Sequence, residues 1–447
     1  MKSFFKNGQQ IANNIWNGKY FLPFLLALCI LGLWADANLE FMFLFIAIEV
    51  LLLIFCDDIM SIIAPLFCIF LMAVKYYKDL SILVAYMWYG FVPFAAAAIF
   101  NIVYYRKPLV KGNYLWPFVA VSVSLIVGGA GVISSKEYFE PIALYYMLGL
   151  GVGMLLLYLL VRSRLENKRK YNRTERLAAI IYFSGILTAV VIAAFYISNF
   201  EKFLEKGTVL FFKARNFTTS VMLMALPMAC VSVKKSNIHL IGMAFIYFAM
   251  IFSGSRSGLL FGTILLAMCL LYIYISNKKS RRLYNIIIIA MLIPTVVLAY
   301  KYIPHLFSSR QIGEKLVNTD ATRIKYFELA AANFVNHPIF GMGVGNIKDI
   351  EVFKAYFPGC IMFYHNIVLQ VISCLGSVGI AAFGWLFIKR VKALAAVKKE
   401  TAVVFGFSYL GILLMSMTNP GVFCPFPEAA LLMVMFAVLE KEQKEIE

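Results

Sequence analysis

Charged and nucleophilic residues are sparse in this 447-residue chain, so the few stretches where they gather with small residues are where chemistry is to be sought. Ser253-Gly254-Ser255-Arg256-Ser257-Gly258 stands directly before a long apolar run. Small side chains let a ligand approach the backbone. A helix starting here adds unpaired N–H groups and the positive end of its dipole to the guanidinium. Together these make an anion site; the plainer reading is an arginine snorkelling at a membrane interface. Lys213, Arg215 and Asn216 precede another apolar run, where the bland partner is lipid phosphate and the specific one is a bound diphosphate.

Thr319-Asp320-Ala321-Thr322-Arg323 opens the next gathering. Asp320 or Thr322 can cap a helix there, and Ile324, Phe327, Ala331, Phe334 and Val335 recur as the apolar stripe of an amphipathic helix that stops at His337-Pro338. Such a helix lies on a membrane surface. Arg323 falls in its first turn, where a cation opposes the dipole unless an anion is near. Gly341, Gly343 and Gly345 follow, as either a tight loop or a nest of amides for phosphate. Last comes His365-Asn366, at the start of another apolar run. An imidazole titrating near about 6.5 can accept a proton from a hydroxyl at neutral pH; the alternative is a histidine at a helix cap. The other histidines, 239, 305 and 337, read as structural or, for His337 before a proline, conformational.

The elements that must carry these residues are membrane helices. With 62% hydrophobic and 14% charged residues and a mean hydropathy of +0.82, a soluble domain is excluded. Apolar runs fall at roughly 20–34, 38–56, 58–75, 79–103, 115–134, 141–162, 177–197, 216–233, 237–252, 256–276, 284–304, 365–389, 402–418 and 427–440, giving about 12–14 crossings of about 20 residues each. The fold class expected is an all-α polytopic membrane protein with one extracytoplasmic loop, 305–364, bearing short amphipathic helices. The first apolar run reads as an uncleaved helix. The net charge of +18 is concentrated in short connections, above all the seven basic residues between Arg162 and Arg176, so it reports the positive-inside rule and no nucleic acid. Both termini are then cytoplasmic, and Lys75 and Lys78 sit on the wrong side. Six cysteines in apolar runs read as core residues, while Cys360 and Cys424 could pair outside. Glu49, inside an apolar run, calls for a partner on a neighbouring helix or a proton site. The segment from Glu440 to Glu447 reads as a solvated helix end.

In this order, the pieces resemble the O-antigen ligase/Wzy polymerase family of bacterial glycan-assembly enzymes. The resemblance covers about 215–390: Arg215-Asn216, Ser255-Arg256-Ser257-Gly258-Leu259-Leu260, Arg323, Asn336-His337-Pro338-Ile339-Phe340-Gly341-Met342-Gly343-Val344-Gly345-Asn346, and His365-Asn366-Ile367-Val368-Leu369-Gln370 through Leu375-Gly376 and Gly379. It implies a GT-C-like glycosyltransferase of the bacterial cytoplasmic membrane, active on the outer face without metal or other cofactor. Its donor is a glycan on undecaprenyl diphosphate, and its acceptor is a lipid-linked or other glycan. Membrane lipids, a chain-length regulator and a flippase complete the implied partners. By position, Arg256 and Arg323 would hold the diphosphate, Arg215 would be a further phosphate contact, and His365 would be the base. Two fixed guanidiniums can meet the leaving-group charge that Mg²⁺ meets elsewhere, and the outer acidic residues Asp320, Glu328, Asp349, Glu351 and Glu428 are too scattered to read as a metal site.

The chain then divides into N-terminal helices over 1–200, a family-like catalytic region over 201–440 and a cytoplasmic tail over 441–447. With a moderate outer loop and no appended extracellular domain of the sort that protein-glycosylating relatives carry, polymerisation of lipid-linked repeat units is favoured; ligation to lipid A-core or another acceptor is the alternative, and a flippase is the reading of different class. A transporter would place ionisable groups near the bilayer midplane, whereas Arg256, Arg323 and His365 all fall at the outer boundary. A cysteine placed near Lys315 is expected to react with an impermeant thiol reagent added from outside intact cells; protection until the cells are opened would invert the topology.

Overall fold

A computed structural model of the chain describes residues 2–73, 80–139, 141–165, 171–201, 215–276, 285, 300, 319–344, 364–418 and 426–446. Among these there is no strand, and the fold is all-α. The helices are α1 (Lys2–Asn17), α2 (Phe21–Trp34), α3 (Asn38–Phe55), α4 (Met60–Ala73), α5 (Leu80–Tyr105), α6 (Leu115–Gly128), α7 (Ile142–Tyr146), α8 (Met154–Arg164), α9 (Arg173–Ser198), α10 (Arg215–Val233), α11 (Ile238–Phe252), α12 (Arg256–Ser276), α13 (Thr319–Asn336), α14 (Ile367–Ala395), α15 (Lys399–Ser416) and α16 (Phe426–Ile446). A π-helical turn, Met147–Gly153, joins α7 to α8.

Eight helical stretches among the described residues are long and apolar enough to cross a membrane, or nine if Phe5–Asn17 and Phe21–Trp34, bent by 77°, form one span. The chain is a multi-pass membrane protein. The 12–14 crossings read from the sequence also include the shorter apolar helices α4, α6 and α11, the short run inside α16, and the run at 284–304, which lies almost wholly outside the described residues. Lys75, Lys78, Cys360 and Cys424 lie outside them too. The helix α1 was not anticipated: Trp16 is buried and Phe5 packs on Phe55 and Phe100, which turns a polar-looking leader into a packed element.

The chain forms two compact units that do not follow chain order: Met1–Pro108, Ser163–Ser255 and Gly262–Tyr302 make the first, and Leu109–Arg162, Arg256–Phe261 and Ile303–Glu447 make the second. In the first, α9 packs on α10 and α3 on α4. Asn101 of α5 donates to the Leu53 and Cys56 carbonyls at 2.5 and 2.8 Å, satisfying groups left over where α3 ends. Glu49 is fully buried there, and neither carboxylate oxygen has a hydrogen-bond partner among the described residues, so the neighbouring-helix partner expected from the sequence is not found.

In the second unit α6 runs along α14. Its buried ionic anchor lies where the sequence alone reads as a solvated helix end. Glu440 of α16 has no exposed surface. It faces Arg162 at 3.7 Å and accepts from the Tyr158 hydroxyl at 2.8 Å and from the Asn113 amide. Arg162, counted among the loop cations in the sequence, is equally buried. Breaking such a pair from one side strands the other charge. Glu440→Ala is therefore expected to destabilise the protein by about 3–5 kcal/mol in detergent unfolding, and Glu440→Gln, which keeps an acceptor for Tyr158 and Asn113, by less.

Candidate functional site

The site elements of the second unit are assembled around a broken helix. At Gly376, α14 leaves helical geometry (φ 61°, ψ −155°). An intact helix would bond the Ser377 and Val378 amides to the Ser373 and Cys374 carbonyls. Here those amides donate instead to the Pro338 and Ile339 carbonyls at 2.8 and 3.2 Å, while the Ser373 and Cys374 carbonyls accept from the Met342 and Gly343 amides at 3.0 Å each. The loop after α13 thus fills the gap and satisfies both sides of it. A Cβ at Gly376 would lie 2.5 Å from the Ile339 oxygen, so the close approach as well as the positive φ requires glycine. The Val344 amide bonds the Gly129 carbonyl at 2.7 Å, Ser134 donates to the Gly341 carbonyl, and Tyr138 meets His337 at 3.2 Å. With the amides of 342, 343 and 344 so engaged, the glycine run is a tight docking loop over its described part rather than a phosphate nest.

His365 stands at the head of the same helix. Its φ is +53°, rare for a residue with a side chain, and it is half-buried. Asn366 caps α14 by accepting from the Val368 and Leu369 amides at 2.8 and 3.2 Å, and its Nδ2 donates to the Met417 carbonyl at 3.1 Å. The ring of Tyr326 from α13 lies 6.1 Å from the imidazole, centroid to centroid. Tyr364, immediately before the histidine, is buried and bonded to Asn333 of α13 and Ser373 of α14. Burial pushes both phenols above the ordinary tyrosine range, so they keep their protons at physiological pH.

The helix α13 ends at Asn336, before His337-Pro338 as expected, but it already begins at Thr319, so Asp320 and Thr322, expected as caps, lie inside it and Arg323 falls beyond the first turn. It has two faces. Tyr326, Ala330 and Asn333 are buried, and the helix packs on α14; of the expected stripe, Ile324, Phe327 and Val335 are 62%, 61% and 76% exposed, Ala331 is exposed as well and Phe334 is half-buried. The sequence showed the second face and missed the first. Arg323 is the fifth residue of this helix.

Arg256 is the first residue of α12 and half-buried. The turn before it has Gly254 at φ 73° and is tied down by Ser255, whose hydroxyl donates to Asn216 Oδ1 at 3.1 Å, and by Thr219, 3.1 Å from Ser253 Oγ. Arg256, Arg323 and His365 all belong to the second compact unit, whereas Arg215, the first residue of α10, belongs to the first. Among the described residues no group of three or more His, Cys, Asp or Glu is arranged to hold a metal ion.

Residues 241–384 match the model of the O-antigen ligase family. Over this stretch the chain is similar to O-antigen ligases. The stretch includes Arg256, Arg323, the docking loop, the helix break and His365, and it begins after Arg215. The match supports the family read from the motifs and, in general terms, a function of the O-antigen ligase/polymerase type. No curated protein and no solved structure matches the chain. The sequence pointed to His365 but not to Tyr326, Asn333, Tyr364 or Ser373 around it; a faint signal was the asparagine recurring with Tyr326 and Ala330 on one side of an amphipathic helix.

Gly376→Ala is expected to cost about 1–3 kcal/mol through strain alone and more if the loop is displaced. Gly384→Ala, in the same helix with nothing within 4 Å of its Cβ, should be neutral or slightly stabilising. Equal melting temperatures for the two variants would dismiss the docked break as a constraint.

Proposed function

We propose that this protein polymerises lipid-linked polysaccharide repeat units, of O-antigen, capsule or exopolysaccharide, on the outer face of the bacterial cytoplasmic membrane, with both termini cytoplasmic. The observation that carries the proposal is that the stretch similar to O-antigen ligases contains Arg256, Arg323 and His365 and that all three belong to one compact unit. In this reading the acceptor sugar hydroxyl attacks the anomeric carbon of the undecaprenyl-diphosphate-linked donor. Its proton passes to the imidazole of His365, the new glycosidic C–O bond forms, and the bond from the anomeric carbon to the diphosphate oxygen breaks. The departing diphosphate gains negative charge, which Arg256 and Arg323 neutralise without a metal ion, with Arg215 as a further phosphate contact. A positioned base contributes roughly 10²–10⁴ in rate, since a sugar hydroxyl is only weakly acidic.

A second reading, transfer of the finished glycan to lipid A-core or another acceptor, is favoured by the description of the matched family as ligases. The chemistry at the donor is the same and only the acceptor differs. The match gives no support to a flippase.

Purified protein supplied with lipid-linked repeat units and no energy source should produce a ladder of longer chains. Product only when lipid A-core is added would make it a ligase. His365→Ala should lose about 10²–10⁴ of the rate, and full activity would remove it as base. Arg256→Ala and Arg323→Ala should weaken donor binding more than the lysine substitutions; unchanged binding in all four variants would remove the diphosphate site.

A further inference from the structure

The buried tyrosine beside His365 forms a closed polar triangle. Asn333 Nδ2 of α13 donates to the Tyr364 hydroxyl at 2.8 Å and to Ser373 Oγ of α14 at 3.1 Å, and the two hydroxyls are 2.7 Å apart. Tyr364, Ser373 and Asn333 are 2%, 0% and 8% exposed, so water cannot substitute for a lost partner. The amide hydrogens of Asn333 serve one oxygen each, and a hydroxyl proton closes the third side. A buried network satisfied in this way has one low-energy arrangement.

The triangle bears on His365 from two directions. Along the chain, Tyr364 is fixed at its hydroxyl and also at its amide, which donates to Gln370 Oε1 at 3.0 Å. On the other side Asn366 is fixed by the helix cap and the Met417 carbonyl. Held at both neighbours, His365 adopts a left-handed backbone that costs a side-chain-bearing residue free energy and persists where its surroundings over-determine it. Across space, the same hydroxyl ties α14 to α13, whose Tyr326 ring packs on both Tyr364 and His365. Tyr326 is three residues beyond Arg323 on that helix.

We propose that Tyr364 is a positioning residue: its hydroxyl, through Asn333 and Ser373, fixes the backbone of His365 and the packing of the Tyr326 ring against its imidazole, so that the base is held where it can take the proton of the acceptor hydroxyl. The proposal rests on the reading of His365 as the base. It assigns the buried face of α13 a function in the chemical step, separate from binding.

The test is Tyr364→Phe, which removes one oxygen and keeps the ring, alongside Asn333→Ala and Ser373→Ala, in the repeat-unit elongation assay with full-length protein. A displacement of about 1 Å at a reacting group costs up to about 100-fold. We expect kcat to fall by about 10–100-fold with the donor KM within about twofold of the parent, and the double variants to lose no more than the singles, since the three side chains act as one unit. An unchanged kcat for Tyr364→Phe overturns the proposal. So does a loss of kcat and KM together that follows the melting temperature, because a merely structural role would give that. Full activity of His365→Ala would instead refute the base, and the positioning of it falls with that result.

Discussion

Two hydrogen bonds missing from one helix, and the four that replace them, organise the second unit of this protein. Opening α14 at Gly376 frees two amides and two carbonyls in a buried stretch, and each such group left unpaired would cost several kcal/mol in surroundings without water. The loop after α13 supplies the complement from Pro338, Ile339, Met342 and Gly343, residues four apart that would otherwise bond one another as a helical turn. Two segments thus exchange helical partners. The exchange works only at backbone contact distance, which is why glycine stands at 341 and 376, while Gly343 lies close against the backbone of Ala130 and Gly131. It also fixes where α13 ends and where the upper part of α14, with His365 at its head, must lie.

Around that exchange the unit is held at separate places by different physics. The ion pair of Glu440 and Arg162 is sealed from solvent and has the Tyr158 hydroxyl and the Asn113 amide to complete it. The triangle of Asn333, Tyr364 and Ser373 is neutral and gains its specificity from geometry. Charge is spent where a terminal helix must be anchored, and uncharged hydrogen bonds are used beside the residues proposed to handle a charged substrate. A further fixed charge there would compete with the arginines for the same phosphate.

The helices, their approximate ends and the positions of Arg256, Arg323 and His365 were legible because each leaves a local mark: a long apolar run, a proline stop, a cation in an unlikely place. What escaped the sequence was long-range. Nothing near Glu440 shows that its partner lies at Arg162, so a charged terminus reads as solvated. The helix α1 leaves little mark in the sequence because its apolar residues are few and its packing is with distant aromatics, Phe5 against Phe55 and Phe100 and Trp16 against Tyr171. The glycine run was ambiguous for the same reason: a loop that presents amides to phosphate and one that presents them to a broken helix have the same composition, and the chain order does not say which oxygen arrives. Tyr364 had no periodic pattern to mark it, although it adjoins the most conspicuous histidine.

The uncovered stripe of α13 has a kinetic meaning. A helix of 18 residues that offers Ile324, Phe327 and Val335 away from the protein has a natural neighbour in acyl chains. Seated there, it would hold its arginine at the depth where lipid headgroups already lie. Donor and acceptor that are both tethered to lipid then meet the enzyme by lateral diffusion within a sheet, and the quantity that governs encounter is molecules per unit area. Turnover on this proposed reading would respond to how crowded the leaflet is with carrier lipid, and dilution of the surrounding water would leave it unchanged.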